Sequence, residues 1–331
     1  MAGASESAVS PVQLREITRL LSGTRRAKRA EMSRPRQVLP GSTYLVTRRT
    51  LRRHCLFRPD SEMRGIIVYL LAVSATRSGI LVHGFCAMST HVHLVVTDTR
   101  GELPAFLEYF HRLLALTTKI LRKWEGAALD HQQTSVVRLE TSEAIIDKIG
   151  YVLANPVEAG LVRYARDWPG AKSHPNDLGG GTMTAARPGV YLDAARWPET
   201  AELALALPVG VEDRDADAWR AAVKGSIAEH EARGRAEVER KGWKFLGAER
   251  AQRVSPYDRA TSYEPIRGRN PTFAVSGVAG AYAAAVRALR DFQRAHAEAR
   301  ARWRAGFRDV VFPAGTWWMA RGHSAFVAAP P

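Results

Sequence analysis

The chain has 331 residues and sets 48 Lys and Arg against 33 Asp and Glu, for a formal net charge of +15. A surplus of that size favours a polyanionic partner, nucleic acid before membrane, because each neutralised phosphate releases counterions. A hydrophobic fraction of 46% supplies a core for one large or two modest domains, and only two cysteines, Cys55 and Cys86, exclude both a disulfide framework and a four-cysteine zinc site.

The chain starts Met1-Ala-Gly-Ala-Ser-Glu-Ser, without the basic start and apolar run of a signal peptide. With no apolar stretch of membrane-spanning length, it reads as a soluble cytoplasmic protein without a membrane partner. Residues 1–38 combine a short apolar-periodic piece (Val12, Leu14, Ile17, Leu20) with a basic run that includes Arg26, Lys28 and Arg29. That run is read as an arm lying on phosphates, against the plainer reading of a solvated tail.

Gly41-Ser-Thr-Tyr-Leu-Val-Thr-Arg48 predicts a first strand, with Arg48, Arg49, Arg52 and Arg53 clustered at its end as further phosphate contacts. From Asp60 to about Arg77, Met63, Ile66, Ile67, Leu70 and Leu71 recur at helical spacing, and Asp60 or Ser61 suits the N-cap. Ile80–Ala87 and the stretch from His91 onward predict two strands paired as a hairpin. Leu103 to Trp124 carries the clearest amphipathic stripe, Phe106, Phe110, Leu113, Leu114, Thr117, Ile120 and Leu121. Thr134–Leu139 predicts a fourth strand, and a short helix from about Ser142 is expected to end near Asn155-Pro156.

Strand, helix, strand, strand, helix, strand is the split βαβ order of a ferredoxin-like α+β sandwich. The expected fold is an antiparallel sheet with helices on one face, the other face open, plus a largely α-helical C-terminal extension. Expected domains are a basic arm (1–38), the α+β domain (39–175), a Gly/Pro-rich linker (176–190) and a basic helical region (191–331). In that last region Trp219 to about Arg240 and Val278 to about Trp303 predict helices, the second one cationic.

The chemistry centres on Met88-Ser-Thr-His-Val-His-Leu-Val-Val-Thr-Asp98. Alternate side chains of a strand share a face, so His91 and His93 point the same way and can hold one divalent ion. The plainer reading is two exposed histidines on a polar face.

Three motifs together resemble one family. Gly41-Ser-Thr-Tyr-Leu-Val-Thr-Arg-Arg, Met88-Ser-Thr-His-Val-His-Leu-Val-Val, and Tyr151-Val-Leu-Ala-Asn-Pro-Val-Glu-Ala-Gly-Leu-Val162 followed by Trp168-Pro-Gly are similar to the REP-associated tyrosine transposases, bacterial relatives of the HUH-class insertion-sequence transposases. The resemblance spans about residues 38–175. It implies Mg²⁺ or Mn²⁺ held by His91, His93 and a third polar ligand, with Asp130, Gln132 or Gln133 as candidates and Glu125 a weaker one. It also implies a tyrosine that attacks single-stranded or hairpin DNA to form a 5′-phosphotyrosine link, and it is compatible with a homodimer. In the register used here the family's tyrosine position falls on Thr117 of the long helix, and the nearest tyrosine of that helix is Tyr109.

Two readings follow: a transposase that cuts and rejoins single-stranded DNA with metal assistance, and a non-catalytic DNA-binding descendant that lost its nucleophile. A two-histidine phosphoesterase would need a second His-x-Thr or His-x-Ser strand, and the sequence has none.

Overall fold

The computed structural model of the protein describes residues 35–211, 215–262 and 271–330. The expected basic arm, with Arg26, Lys28 and Arg29, lies outside the described residues. Strand β1 is Ser42–Arg49, rich in the β-branched and aromatic residues that suit a pleated, buried surface. Helix α1, Ser61–Ser78, begins at Asp60, whose carboxylate accepts from the Met63 amide at 2.9 Å. It ends at Gly79, where φ is +67°, a conformation that favours glycine at a helix C-terminus. Strands β2 (Ile80–Met88) and β3 (His91–Asp98) form a hairpin across the Ser89-Thr90 turn. Asp98 is fully buried and accepts from the amides of Arg100, Glu102 and Leu103, which starts helix α2, Leu103–Arg122. Strand β4 (Ser135–Leu139) and helix α3 (Ser142–Glu158) follow.

The central sheet runs β2-β3-β1-β4, antiparallel throughout, and a short strand β7 (Phe273–Ala274) adds to β4 in parallel. The protein is thus a mixed α+β fold built on a mostly antiparallel sheet. Leu45, Cys86, Val95 and Val137 share one sheet face and pack with Ile149, Val152 and Leu153 of α3. Tyr44, Val46, Leu94 and Val96 alternate with them and are equally buried on the opposite face. The expectation of one open face is therefore corrected. The apolar side of α3 needs a partner surface and takes the face that α1 and α2 leave, so helices cover both.

Helix α3 also runs through Pro156 to Glu158 rather than stopping before it. A proline in the last turn forfeits one amide bond, and the Ala159 amide still donates to Asn155 O at 2.9 Å. Where a linker was expected, Thr182–Ala186 forms strand β5, paired with β6 (Thr200–Ala204) and packed with it against α1. That hairpin explains why Val68, Tyr69 and Ala72, off the predicted stripe of α1, are buried too.

Further on come helices α4 (Ala216–Arg240), α5 (Ala248–Arg253) and α6 (Ala281–Arg304), a parallel pair β8 (Val311–Phe312) and β9 (Phe326–Val327), and a short helix α7 (Trp317–His323) between them. The chain divides into two compact units. Val38–Leu289 contains the sheet and α1 to α5. Arg290–Ala328, joined by Gln37 through its bond to Ala314 O at 3.2 Å, is built around Ala299, Val310, Phe312 and Ala325.

Candidate functional site

The register of β3 against β1 sets His93 beside Thr47 and His91 beside Arg49. Both imidazoles leave the strand on the side of Val95, the face that α3 covers. His93 is 4% exposed, and its Nδ1 shares a hydrogen bond with Thr47 Oγ1 at 2.8 Å. Its Nε2 is buried with no hydrogen-bond partner. Burial, reinforced by His91 and Arg49, holds its pKa well below the usual imidazole value, so His93 is neutral. The His91 ring lies 4.6 Å away at 88°, its Nδ1 bonded to Thr90 Oγ1 at 2.9 Å.

Helix α3 brings Tyr151 to this pair, its ring 5.5 Å from His93 at 76°. Lys148 Nζ lies 5.8 Å from the centre of the same ring. The ring of His230, from α4, lies 5.9 Å from that of Tyr151. His230 bridges two carboxylates of α3: Nδ1 to Glu158 at 2.8 Å and Nε2 to Asp147 at 3.0 Å. Burial disfavours its charge, but the hydrogen bonds to Asp147 and Glu158 prevail and push its pKa up to about 9. Asp147, bonded to His230 and Lys148, is held well below the usual carboxylate range.

The residues singled out by sequence divide sharply. Thr117 is fully buried and donates its hydroxyl to Leu113 O at 2.8 Å within its own helix. Tyr109 has the guanidinium groups of Arg77 and Arg112 at 4.8 and 5.6 Å from its ring centre and stacks on Trp197. The carbonyls of Asp130 and Gln132 accept from Arg48 at 2.9 and 2.7 Å, and Asp130 Oδ1 accepts from the Gln132 amide. Arg48 follows Thr47 along β1 and so points to the face opposite the histidines. Gln133 is exposed in the same loop. Among the described residues no three His, Cys, Asp or Glu side chains gather as a metal site.

Arg52 and Arg53 both adopt left-handed backbone, φ +49° and +59°. Arg53 forks onto Ser262 O and Oγ at 2.7 Å each, while Arg52 is exposed. The structure thus gathers His91, His93 and Tyr151 and leaves Tyr109 and Thr117 in other surroundings. Tyr151 opened a quoted motif but was not singled out as a nucleophile. The signal that points to it is its spacing from Asn155, which puts a phenol and an amide on one face of α3. Asn155 is 8% exposed.

No protein-family model matches the chain, and no curated protein matches it in sequence. Among solved structures it is similar to a REP-associated tyrosine transposase bound to a REP hairpin, with TM-score 0.37 and 14% identity over 44% of this chain and 84% of that one. It is also similar to a crystal structure of a protein from Deinococcus radiodurans R1 provisionally assigned as a transposase, with TM-score 0.26 and 19% identity over 32% and 85%. No helix of the described residues is long and apolar enough to cross a membrane.

Proposed function

We propose that this protein is a transposase-like enzyme of the HUH tyrosine class that cleaves and transfers single-stranded or hairpin DNA, with Tyr151 as its nucleophile. The observation that carries the reading is the phenol of Tyr151 against His93, a neutral imidazole with one nitrogen held by Thr47 and the other buried without a partner. A buried ring nitrogen left unpaired costs stability unless a ligand engages it. With Nδ1–H donating to Thr47, Nε2 keeps the lone pair that a metal ion uses.

His93 and His91 fit a divalent ion such as Mg²⁺ or Mn²⁺, and the Asn155 amide oxygen, one turn beyond Tyr151, is the third donor we assign. From the other face, Arg48 holds the carbonyls of Asp130 and Gln132. Such an ion, when bound, neutralises phosphate charge and stabilises the displaced oxygen.

This chain's own residues supply the remaining chemistry. The Tyr151 oxygen attacks phosphorus as the phenolic proton leaves to solvent. The P–O3′ bond breaks, and the 3′-oxygen takes up a proton. The product is a 5′-phosphotyrosine with a free 3′-hydroxyl, and its reversal by another 3′-hydroxyl completes strand transfer. Lys148, its ammonium 5.8 Å from the ring centre of Tyr151, is the α3 cation beside the nucleophile.

The β2-β3-β1-β4 order supports a ferredoxin-like core, to which β7 and the helices after residue 211 add an extension. The non-catalytic alternative drew on Thr117 as the nucleophile position, and Tyr151 supplies the nucleophile it lacked.

The test is covalent capture. The protein is incubated with Mn²⁺ and labelled single-stranded hairpin DNA from the flanks of its own gene, then run on a denaturing gel. An adduct is expected from the wild type, from Tyr109→Phe and from Thr117→Ala, and none from Tyr151→Phe or His93→Ala. An adduct that persists in Tyr151→Phe overturns the assignment. Hairpin binding without any wild-type adduct returns the non-catalytic reading.

A further inference from the structure

The helix that carries Tyr151 is not set by the sheet alone. Helices α3 and α4 run side by side in the same sense, and two glycines let their backbones approach. A Cβ on Gly150 would run into Ser226 of α4, and one on Gly234 would meet the Glu158 amide nitrogen at 2.9 Å. Between these two contacts His230 of α4, 5% exposed, hydrogen-bonds to α3. Its two carboxylate partners and Tyr151 fall at positions 147, 151 and 158, which share one face of α3. His230 therefore spans the stretch of helix that carries Tyr151 and packs its ring against the phenol ring at 60°.

We propose that His230 is a positioning residue for Tyr151, so that α4, outside the segment that resembles the transposases, completes the site. The inference rests on the reading of Tyr151 as nucleophile. Tyr151 packs against two imidazoles with different tasks, His93 at 5.5 Å and His230 at 5.9 Å between ring centres. His93 offers a free nitrogen lone pair. His230 has both nitrogens spent on carboxylates and acts as a fixed wall. A phenol ring has two soft torsions, and a ring packed against two fixed imidazoles loses most of that freedom before substrate arrives. The charged groups facing His230 are Asp147 and Glu158 from α3 and Arg233 from its own helix, the last with Nη2 at 2.8 Å from Nδ1. Lys148 pairs with the same Asp147 carboxylate at 2.7 Å, and its ammonium lies 5.8 Å from the Tyr151 ring centre. A bulkier neutral partner at position 230 would fill the space but could not bridge two carboxylates.

The experiment uses the full chain labelled with 3-fluorotyrosine, the Tyr151 resonance being assigned by its absence in Tyr151→Phe. His230→Gln keeps the size and one amide donor, and Glu158→Gln loosens the same clamp from α3. In both, the fluorine resonance of Tyr151 is expected to shift and broaden while those of Tyr44 and Tyr69, buried in the sheet and α1, stay in place. In the adduct assay His230→Gln is expected to slow covalent capture roughly 10-fold to 100-fold with hairpin affinity unchanged. A Tyr151 resonance identical to wild type in His230→Gln overturns the proposal, as does an undiminished capture rate. If the wild type forms no adduct, the nucleophile reading falls, and the fluorine spectra still decide whether His230 positions the ring.

Discussion

At His93 each ring nitrogen has a separate task, and the task of Nε2 depends on what holds Nδ1. Thr47→Val keeps the side-chain volume and removes the hydroxyl, so the ring loses its tautomer and its orientation. Mn²⁺ affinity, measured by calorimetric titration, is expected to fall about 10-fold; unchanged affinity would show that the ring is oriented by packing alone. Thr117 gives a contrast. Its hydroxyl bonds only a carbonyl of its own helix, so Thr117→Val should change stability by no more than about 1 kcal/mol and leave adduct formation intact. At His230 the sign of the pH dependence follows from its raised pKa. The group titrates near 6.5 unfolded and is pushed up to about 9 folded. The clamp contributes fully below pH 6.5 and is lost as pH rises through 9, by on the order of 2 kcal/mol. Thermal melts between pH 6 and 10 should show this loss in the wild type, and a matching slope in His230→Gln would refute it.

At the scale of the element, the crossing of α3 and α4 makes a prediction with an internal control. Gly234→Ala drives a Cβ into the backbone of Glu158 and should cost about 1–3 kcal/mol in urea unfolding. Gly225 lies on the same helix with nothing within 4 Å of its would-be Cβ. Gly225→Ala should stabilise by about 0.5–1 kcal/mol, since only the helix propensity changes. Equal effects at the two sites would mean the helices do not approach as described. Other elements show where sequence suffices. The β2–β3 hairpin, the Asp60 cap and the shared face of His91 and His93 are local properties, set by alternation or by a side chain three residues from its partner, and they were legible. The burial of Val68 and Tyr69 was not, because it depends on β5 and β6, more than a hundred residues away in the chain. Tyr151 was hidden for a like reason: periodicity placed it on a helix, but only the packing of that helix on the sheet face of Leu45 and Val95 sets it against His93. His230 sits in no motif, and nothing but the glycine-lined crossing marks it.

For the whole molecule the question is how much of the chain the site needs. Every residue placed in it, from Thr47 to His230, lies within the unit Val38–Leu289. Val223 of α4 is fully buried in the core that also holds Ile149 and Val152, so α4 belongs to the fold that supports Tyr151. A chain ending at residue 211 would expose that core and lose His230, and is expected to lose cooperative unfolding and covalent capture together. A chain ending at residue 289 keeps both. What it gives up is charge: Arg290–Ala328 includes Arg294, Arg300, Arg302 and Arg304 on α6 and Arg308 just beyond it. If those arginines meet phosphates, the plot of log affinity against log salt should be shallower by about 0.7–0.9 per lost single-strand or duplex contact. Capture of bound DNA at saturating concentration should stay the same. An unchanged salt slope in the chain ending at 289 would place the DNA-facing charge within Val38–Leu289 and in the basic arm, and leave the C-terminal arginines to solvent and to partners such as Asp291, already bonded to Arg294 at 2.9 Å.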